Sequence, residues 1–191
     1  MIRRFAYLLA LMACLTLGAC ASPPPASSDD VQRLSTQIKT LGPDIDPEEA
    51  DRAARIAYAY TAQLAQEYQI TDPPLLHNAK VNQGLRPRGL CWHWAEDIER
   101  RLKQENFKTL ELHRAIANAD NPFLIDHSTA IISRRGETLY EGVVLDPWRY
   151  GGVLYWAPLR EDTRYDWVPR ELVLEKRRQE QVARLTPLPG N

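Results

Sequence analysis

The sequence predicts an α+β fold, in which an amphipathic helix packs on a small antiparallel sheet. Two observations support this prediction: apolar residues recur at helical spacing in the first half of the chain, and the period changes to strand-like alternation after Leu110. The 191 residues, less a leader, are enough for one domain with a single core. The net charge of -1 gives no basic surface, so we expect no nucleic-acid partner.

The N-terminus predicts export and a lipid anchor. Arg3 and Arg4 precede an apolar run over residues 5–17, which is the pattern of a signal peptide over residues 1–19. The run ends "LGAC", which resembles the bacterial lipobox, whose cysteine is acylated and becomes the first mature residue. The resemblance implies a lipid-modified Cys20, and because Ala21 and Ser22 follow it, a place on the periplasmic face of the outer membrane. The alternative is an ordinary cleaved signal with an unmodified cysteine.

The chain between the anchor and the domain predicts a tether. Residues 21–30 are mostly Pro, Ser and Ala without an apolar pattern, and we predict a flexible tether over residues 20–45 and a domain over residues 46–186. Asp46 and Pro47 read as an N-cap and a first helical position, and Glu49 completes a capping box. The spacing predicts a helix over residues 47–68, followed by a loop over residues 71–89.

A second helix begins near Cys91. Cys91, Ala95, Ile98 and Leu102 fall on one helical face, which places Cys91 in the first turn and on the inward side.

Strands and a final helix follow. Alternation predicts strands over residues 110–116, 125–133, 139–145 and 153–157, with a two-residue hairpin turn at Arg135 and Gly136 between the second and third. The charged residues 170–185 predict a helix that covers the fold.

Cys91 is the candidate nucleophile. Of the three cysteines, Cys14 leaves with the signal and Cys20 carries lipid, so Cys91 is left as a lone thiol in an oxidising compartment. The unpaired N–H groups of a helix N-terminus favour the thiolate and can hold an oxyanion. The alternatives are a buried small hydrophobe and a metal site with His93 and Asp97, which lacks a fourth ligand. We therefore expect no metal and no cofactor.

His127 is the favoured base among four histidines. His93 follows Cys91 by two residues, which turns it about 200° away on a helix, so it is expected to face solvent, with Asp97 as a candidate partner at i+4. His77 has no evident partner, and His113 points off the core face of its strand. The predicted hairpin places His127 opposite Val144 and makes Asp146 its diagonal neighbour on the same face. A carboxylate there would orient the imidazole, as in a catalytic triad.

Three segments resemble the transglutaminase-like branch of the papain-like superfamily. They are "GLCWHWA" around Cys91, "DHSTAII" around His127 and "VVLDPW" around Asp146. The resemblance implies a papain-like core and a Cys91, His127, Asp146 triad that attacks peptide or amide carbonyls. The chain departs from the family where Ser128 and Thr129 follow His127 in place of an aromatic residue. For the oxyanion hole, Gln83 is the upstream candidate.

Two functions stay open at this point. The first is a lipid-anchored thiol enzyme, either a peptidase or amidase or an acyltransferase to amines, acting on peptidoglycan peptides, envelope proteins or small amides. The second is a catalytically silent transglutaminase-like lipoprotein that binds or scaffolds. The tryptophans near the proposed triad are compatible with a substrate groove and with core packing; they are Trp92, Trp94, Trp148 and Trp156.

Overall fold

The computed structural model describes residues 27–185, so the predicted signal peptide and Cys20 lie outside the described residues. Within this range the fold is α+β, with five helices and one five-stranded antiparallel sheet. The helices are α1 (Ser28–Lys39), α2 (Pro47–Glu67), α3 (Pro74–Asn82), α4 (Cys91–Lys103) and α5 (Arg170–Leu185). The strands are β1 (Leu110–Ala117), β2 (His127–Arg134), β3 (Val143–Asp146), β4 (Tyr155–Pro158) and β5 (Val168–Pro169).

The sheet has the order β4-β3-β2-β1-β5, and apolar residues cover both of its faces. One face carries Ala130 and Ile132 and packs against α4 and α2. The other face carries Ile131 and Val144 and packs against Trp167. Because β2 is central and buried nearly throughout, it holds its side chains rigidly.

The two predicted amphipathic helices are confirmed. Asp46 accepts a hydrogen bond from the Glu48 N–H, and Pro47 opens α2. Helix α4 begins at Cys91, and its Ile98 and Leu102 are buried in the core. The charged C-terminal helix is also present as α5 and buries Val173.

The predicted flexible tether over residues 20–45 is wrong for residues 28–39, which form α1. Ser27 caps this helix: its hydroxyl accepts from the Asp30 N–H, and the Asp30 carboxylate accepts from the Ser27 N–H, which is a capping box. Leu34 and Ile38 are 0% and 1% exposed in the core against α2. The sequence prediction was dominated by the Pro and Ser residues before α1. The short apolar stripe of α1, which packs against α2, was therefore not recognised.

The predicted loop over residues 71–89 likewise contains a helix, α3. Pro74 starts it after Pro73, and only His77 and Asn78 are buried in it. With so few apolar contacts on its inner face, α3 carries little of the periodic signal by which a helix is recognised.

The predicted turn at Arg135 and Gly136 is present, with the Glu137 N–H donating to the Arg134 carbonyl at 3.1 Å and Gly136 at a φ of 83°, but the predicted register of the hairpin is wrong. A short 3-10 turn over Leu139–Glu141 follows Gly136, so β3 starts only at Val143. Val144 lies opposite Ile131 instead of His127, a shift of four residues. A shift by an even number leaves each side chain on its original face. His127 and Asp146 therefore still share a face.

No helix in the described range of residues 27–185 is long and apolar enough to cross a membrane.

Candidate active site

Cys91 is the first residue of α4 and lies at the edge of the core. Its residue is 6% exposed, and its thiol donates to the Asp126 carbonyl oxygen at 3.4 Å. In the first turn, the N–H groups of His93 and Trp94 bond to the Leu90 carbonyl. The N–H groups of Cys91 and Trp92 have no hydrogen-bond partner among the described residues. Two donors are thus available beside the sulfur for a developing oxyanion.

The structure brings His127 and Asp146 together at the end of β2. The His127 Nε2 lies 2.7 Å from Asp146 Oδ2, and the two side chains are 2% and 1% exposed. The His127 Nδ1 is buried and has no hydrogen-bond partner among the described residues. Because Cys91 interacts electrostatically with the His127 ring, Nδ1 is the nitrogen left to exchange a proton with the thiol.

The surroundings of His127 favour its charged form. Burial opposes the charge, but the hydrogen bond with Asp146 and the interaction with Cys91 outweigh burial and raise the pKa of His127 to about 9. His127 is therefore protonated at neutral pH, which places a positive charge beside the Cys91 sulfur, as is found at activated cysteine nucleophiles.

Asp146 belongs to a buried chain of charges that the sequence did not predict. Arg149 donates to Asp146 through its backbone N–H at 3.1 Å and through Nε at 2.9 Å. Its two terminal nitrogens bond to both oxygens of Asp162 at 2.9 and 2.6 Å, and Trp167 Nε1 donates to the same carboxylate at 2.9 Å. Burial opposes the charge of Asp162, but these donors outweigh it and lower the pKa of Asp162.

The chain of charges fixes the orientation of Asp146. Because Arg149 donates to both carboxylate oxygens of Asp146, rotation of the carboxylate away from the imidazole would break these hydrogen bonds. Arg149 follows Asp146 by three residues in a turn, but nothing in the sequence signals its contact with Asp162, which lies in a separate loop.

Aromatic rings surround the imidazole on the other sides. The ring centroids of Trp148, Tyr165 and Trp167 lie 4.7, 4.6 and 5.2 Å from that of His127. These rings exclude water from the imidazole and hold its plane. Tyr165 and Trp167 were not among the residues predicted for the site.

The other tryptophans have separate roles. Trp94 is buried in the core and packs edge-on against Tyr68 at 4.7 Å. Trp156 is partly buried and donates to the Tyr58 hydroxyl at 2.9 Å. Trp92 is 45% exposed, beside Cys91 in the chain. Of the four tryptophans singled out in the sequence, Trp148 is the one with a ring contact to His127 in the described range.

The prediction that His93 faces solvent, with Asp97 as a candidate partner, is wrong. His93 is buried, and its Nδ1 accepts hydrogen bonds from the N–H groups of Gly89 and Leu90 at 3.1 and 3.2 Å. Burial and the nearby Arg88 lower the pKa of His93 to about 4, so it is neutral and able to accept. His93 thus ties down the turn that presents Cys91 and does not serve as its base.

The two remaining histidines are also structural. His77 is buried, and its Nε2 lies 2.8 Å from the Arg88 carbonyl oxygen. His113 Nε2 lies 2.8 Å from the Ser133 hydroxyl, and burial lowers the pKa of His113.

A cavity of about 520 Å³ opens beside the imidazole. His127 and Trp148 form part of its wall, and its rim includes the exposed loop residues Phe123, Leu124 and Ile125. This volume lies within the range of peptide and small-molecule sites.

Two further candidates from the sequence are the oxyanion side chain and the metal site. Gln83 is exposed at the C-terminal cap of α3, and its place in an oxyanion hole stays a prediction. Asp97 bonds to Tyr68, Arg88 and Arg100, and within residues 27–185 no three His, Cys, Asp or Glu side chains group in a way that could hold a metal ion.

Comparison of the chain with protein-family models, with curated proteins and with solved structures gave no match.

Proposed function

We propose that the chain is a thiol enzyme that acts on peptide or amide bonds through Cys91, His127 and Asp146. The observation that carries the proposal is the buried 2.7 Å contact between His127 Nε2 and Asp146 Oδ2, with the His127 Nδ1 left unbonded beside Cys91. The buried His77 also leaves its Nδ1 unbonded, so His127 is distinguished by its buried carboxylate partner and by its interaction with Cys91.

The arrangement supports a two-step reaction. The Cys91 thiolate attacks the carbonyl carbon, the new S–C bond forms, and the oxyanion lies against the free N–H groups at the start of α4. The C–N bond then breaks, and the imidazolium of His127 gives its proton to the leaving amine. His127 next takes a proton from the acceptor, the acceptor bonds to the acyl carbon, and the S–C bond breaks to return the Cys91 thiolate. Water as acceptor gives a peptidase or amidase, and an amine gives an acyltransferase.

Asp146 orients the imidazole and stabilises its charge, and Arg149 holds Asp146 in place. Residues that orient a catalytic group in this way are worth orders of magnitude in rate in other triads. The order of Cys91, His127 and Asp146 on helix, strand and next strand supports a papain-like core of the transglutaminase-like type. The proposal includes a lipid anchor at Cys20 that places the domain at the periplasmic face of the outer membrane.

The first test is alkylation of Cys91 by iodoacetamide at pH 6, where a model thiol is almost wholly protonated. The reaction forms an S–C bond and releases iodide. We expect Cys91 to react at least about tenfold faster than a model thiol, and His127→Ala and His127→Gln to remove this advantage. Peptide mass spectrometry separates Cys91 from any alkylation at Cys14 or Cys20.

His113→Ala is the matched control, because His113 is also a strand histidine with one hydrogen-bonded nitrogen. If Cys91 is alkylated no faster than a model thiol, and if the His127 substitutions do not change its rate, the thiol enzyme is ruled out. The second function is then left, a catalytically silent envelope module that binds or scaffolds. Incubation with muropeptides and with casein, followed by mass spectrometry, identifies the substrate class.

A further inference from the structure

The cavity beside His127 has an apolar wall that continues to the molecular surface. The exposed residues of this wall are Leu75 and, in the loop between β1 and β2, Phe123, Leu124 and Ile125. Phe123 is 92% exposed, which is unusual for a large apolar side chain on a protein surface. A contiguous exposed apolar patch of this kind marks a binding surface.

The patch leads inward to the proposed reaction centre. Trp148 and Tyr165 line the same cavity, and both rings contact the His127 imidazole. Asp126 is the last residue of the loop that bears Phe123, and its carbonyl accepts a hydrogen bond from the Cys91 thiol. The end of this loop therefore lies next to the Cys91 sulfur. Because the surface is concave and ends at the imidazole, an extended chain fits it better than a flat lipid surface does.

The charged side chains that line the cavity are all of one sign, positive. They are His127, Arg149 and Arg164, and the lining holds no Asp or Glu. The guanidinium of Arg149 is already bonded to Asp146 and Asp162.

Arg164 differs from Arg149 because no ion pair engages its guanidinium in the described range. It is exposed, and its guanidinium lies 5.6 Å from the Tyr165 ring. Arginine with free donors is the side chain that best recognises a carboxylate.

We propose that this cavity binds a peptide with a large apolar side chain followed by a carboxylate, the side chain against Phe123, Leu124 and Ile125 and the carboxylate on Arg164. The inference rests on the proposed function, since it names the substrate class of the same site. The amide bond to the nitrogen of this residue would be held with its carbonyl near Cys91, so the residue that carries the apolar side chain and the carboxylate leaves as the amine.

The test uses four reagents that alkylate a thiol by loss of chloride. Chloroacetyl-leucine carries both features, chloroacetyl-leucinamide only the side chain, chloroacetyl-glycine only the carboxylate, and chloroacetyl-glycinamide neither. The rate at Cys91 is followed by mass spectrometry on the full chain. We expect chloroacetyl-leucine to react about tenfold faster than chloroacetyl-glycinamide, the scale of a pocket that reads one apolar side chain.

Two pairs of variants assign the effect. Phe123→Ser is expected to remove the advantage of leucine over glycine, and Leu174→Ser, an exposed apolar residue on α5, to leave it unchanged. Arg164→Gln is expected to remove the advantage of the acid over the amide, worth up to about fivefold for an exposed ion pair. Arg55→Gln on α2 is its control, because Arg55 is also exposed. All four positions are on the surface, so circular dichroism is expected to show folded protein.

The outcomes separate the two proposals. Fast, His127-dependent iodoacetamide alkylation with equal rates for the four reagents would overturn the peptide cavity and leave the thiol enzyme standing. Slow alkylation of Cys91, at a rate that the His127 substitutions do not change, would overturn both proposals. If Phe123→Ser weakens binding to phosphatidylglycerol vesicles without changing the reagent preference, the patch is a lipid contact and the inference is wrong.

Discussion

The chemistry of the site depends on which charges surround one imidazole. His127 is buried among three aromatic rings, an environment that by itself disfavours a charged ring. The Asp146 carboxylate and the Cys91 sulfur reverse this and raise the pKa of His127 to about 9. The site is therefore electrostatically built around a histidine that stays protonated at neutral pH.

Asp146→Asn tests this balance, because it removes the negative charge and keeps the shape. With burial less opposed, the pKa of His127 is expected to fall from about 9 toward 6.5 or below. Cys91 alkylation at pH 6 is expected to slow by about tenfold or more, because the neutral amide no longer orients the imidazolium or balances its charge beside the sulfur. Nuclear magnetic resonance of the imidazole protons and the iodoacetamide rate give the two readings. Asp166→Asn, at an exposed carboxylate, is the control, and an unchanged His127 titration in Asp146→Asn would contradict the assignment.

The raised pKa of His127 also predicts how stability depends on pH. The folded protein holds this proton more tightly than the unfolded chain, whose histidine titrates near 6.5. The stabilisation is therefore complete below pH 6.5 and is lost as the pH rises toward 9. The free energy of unfolding is expected to fall by about 3 kcal/mol across this range. Urea unfolding at several pH values measures the fall, and His127→Gln should lack it; an equal fall in that variant would assign it to other groups.

At the scale of elements, the spacing of apolar residues predicted where each residue lies on its helix or strand better than it predicted how the strands are connected. The apolar stripe of α4 places Cys91 in the first turn because a helix has a fixed period, and the structure agrees. The β3 register was shifted by four residues because the 3-10 turn at Leu139–Glu141 carries no clear sequence signal. Side-chain parity survives an even shift, so the contact between His127 and Asp146 was predictable even though the register was not.

What spacing could not predict are the contacts made between distant loops. Arg149 and Asp162 are 13 positions apart and meet only because the chain after β4 folds back. His93 was misread because its backbone acceptor role depends on the fold of the Gly89 turn, which periodicity does not describe. Both errors concern polar groups whose partners are set by tertiary structure.

The turn before α4 offers a test at this scale. Gly89 has a φ of 121°, and a Cβ there would collide with the His77 ring. Gly84 has a φ of 74° in open space. Both Gly→Ala changes are expected to cost about 1 kcal/mol for the backbone, and Gly89→Ala about 1–3 kcal/mol more for the collision. Thermal unfolding measures the difference. Gly89→Ala is also expected to slow Cys91 alkylation, whereas equal effects of the two substitutions would mean that His77 yields without cost.

On the scale of the whole molecule, the last helix of the described range supports the site and the first helix completes the core. At the C-terminal end, α5 holds the loop before β2: Arg177 pairs with Asp126 at 2.7 Å, and Lys176 pairs with Asp120 at 2.6 Å. The Asp126 carbonyl accepts the Cys91 thiol, so α5 helps to fix the residue against which the sulfur rests. The charged helix predicted as a simple cover therefore also bears on the site.

At the N-terminal end, α1 is part of the domain, and removing it should show this. Leu34 and Ile38 are almost wholly buried, and fully burying one such side chain contributes about 1.5–3 kcal/mol. A chain that starts at residue 46, where the sequence alone placed the domain boundary, is expected to be about 3–6 kcal/mol less stable than one that starts at residue 27. Urea unfolding of the two chains gives the difference. The double variant Leu34→Ala, Ile38→Ala in the longer chain is the control for the loss of these side chains alone, and equal stability of the two chains would restore α1 to the role of a tether.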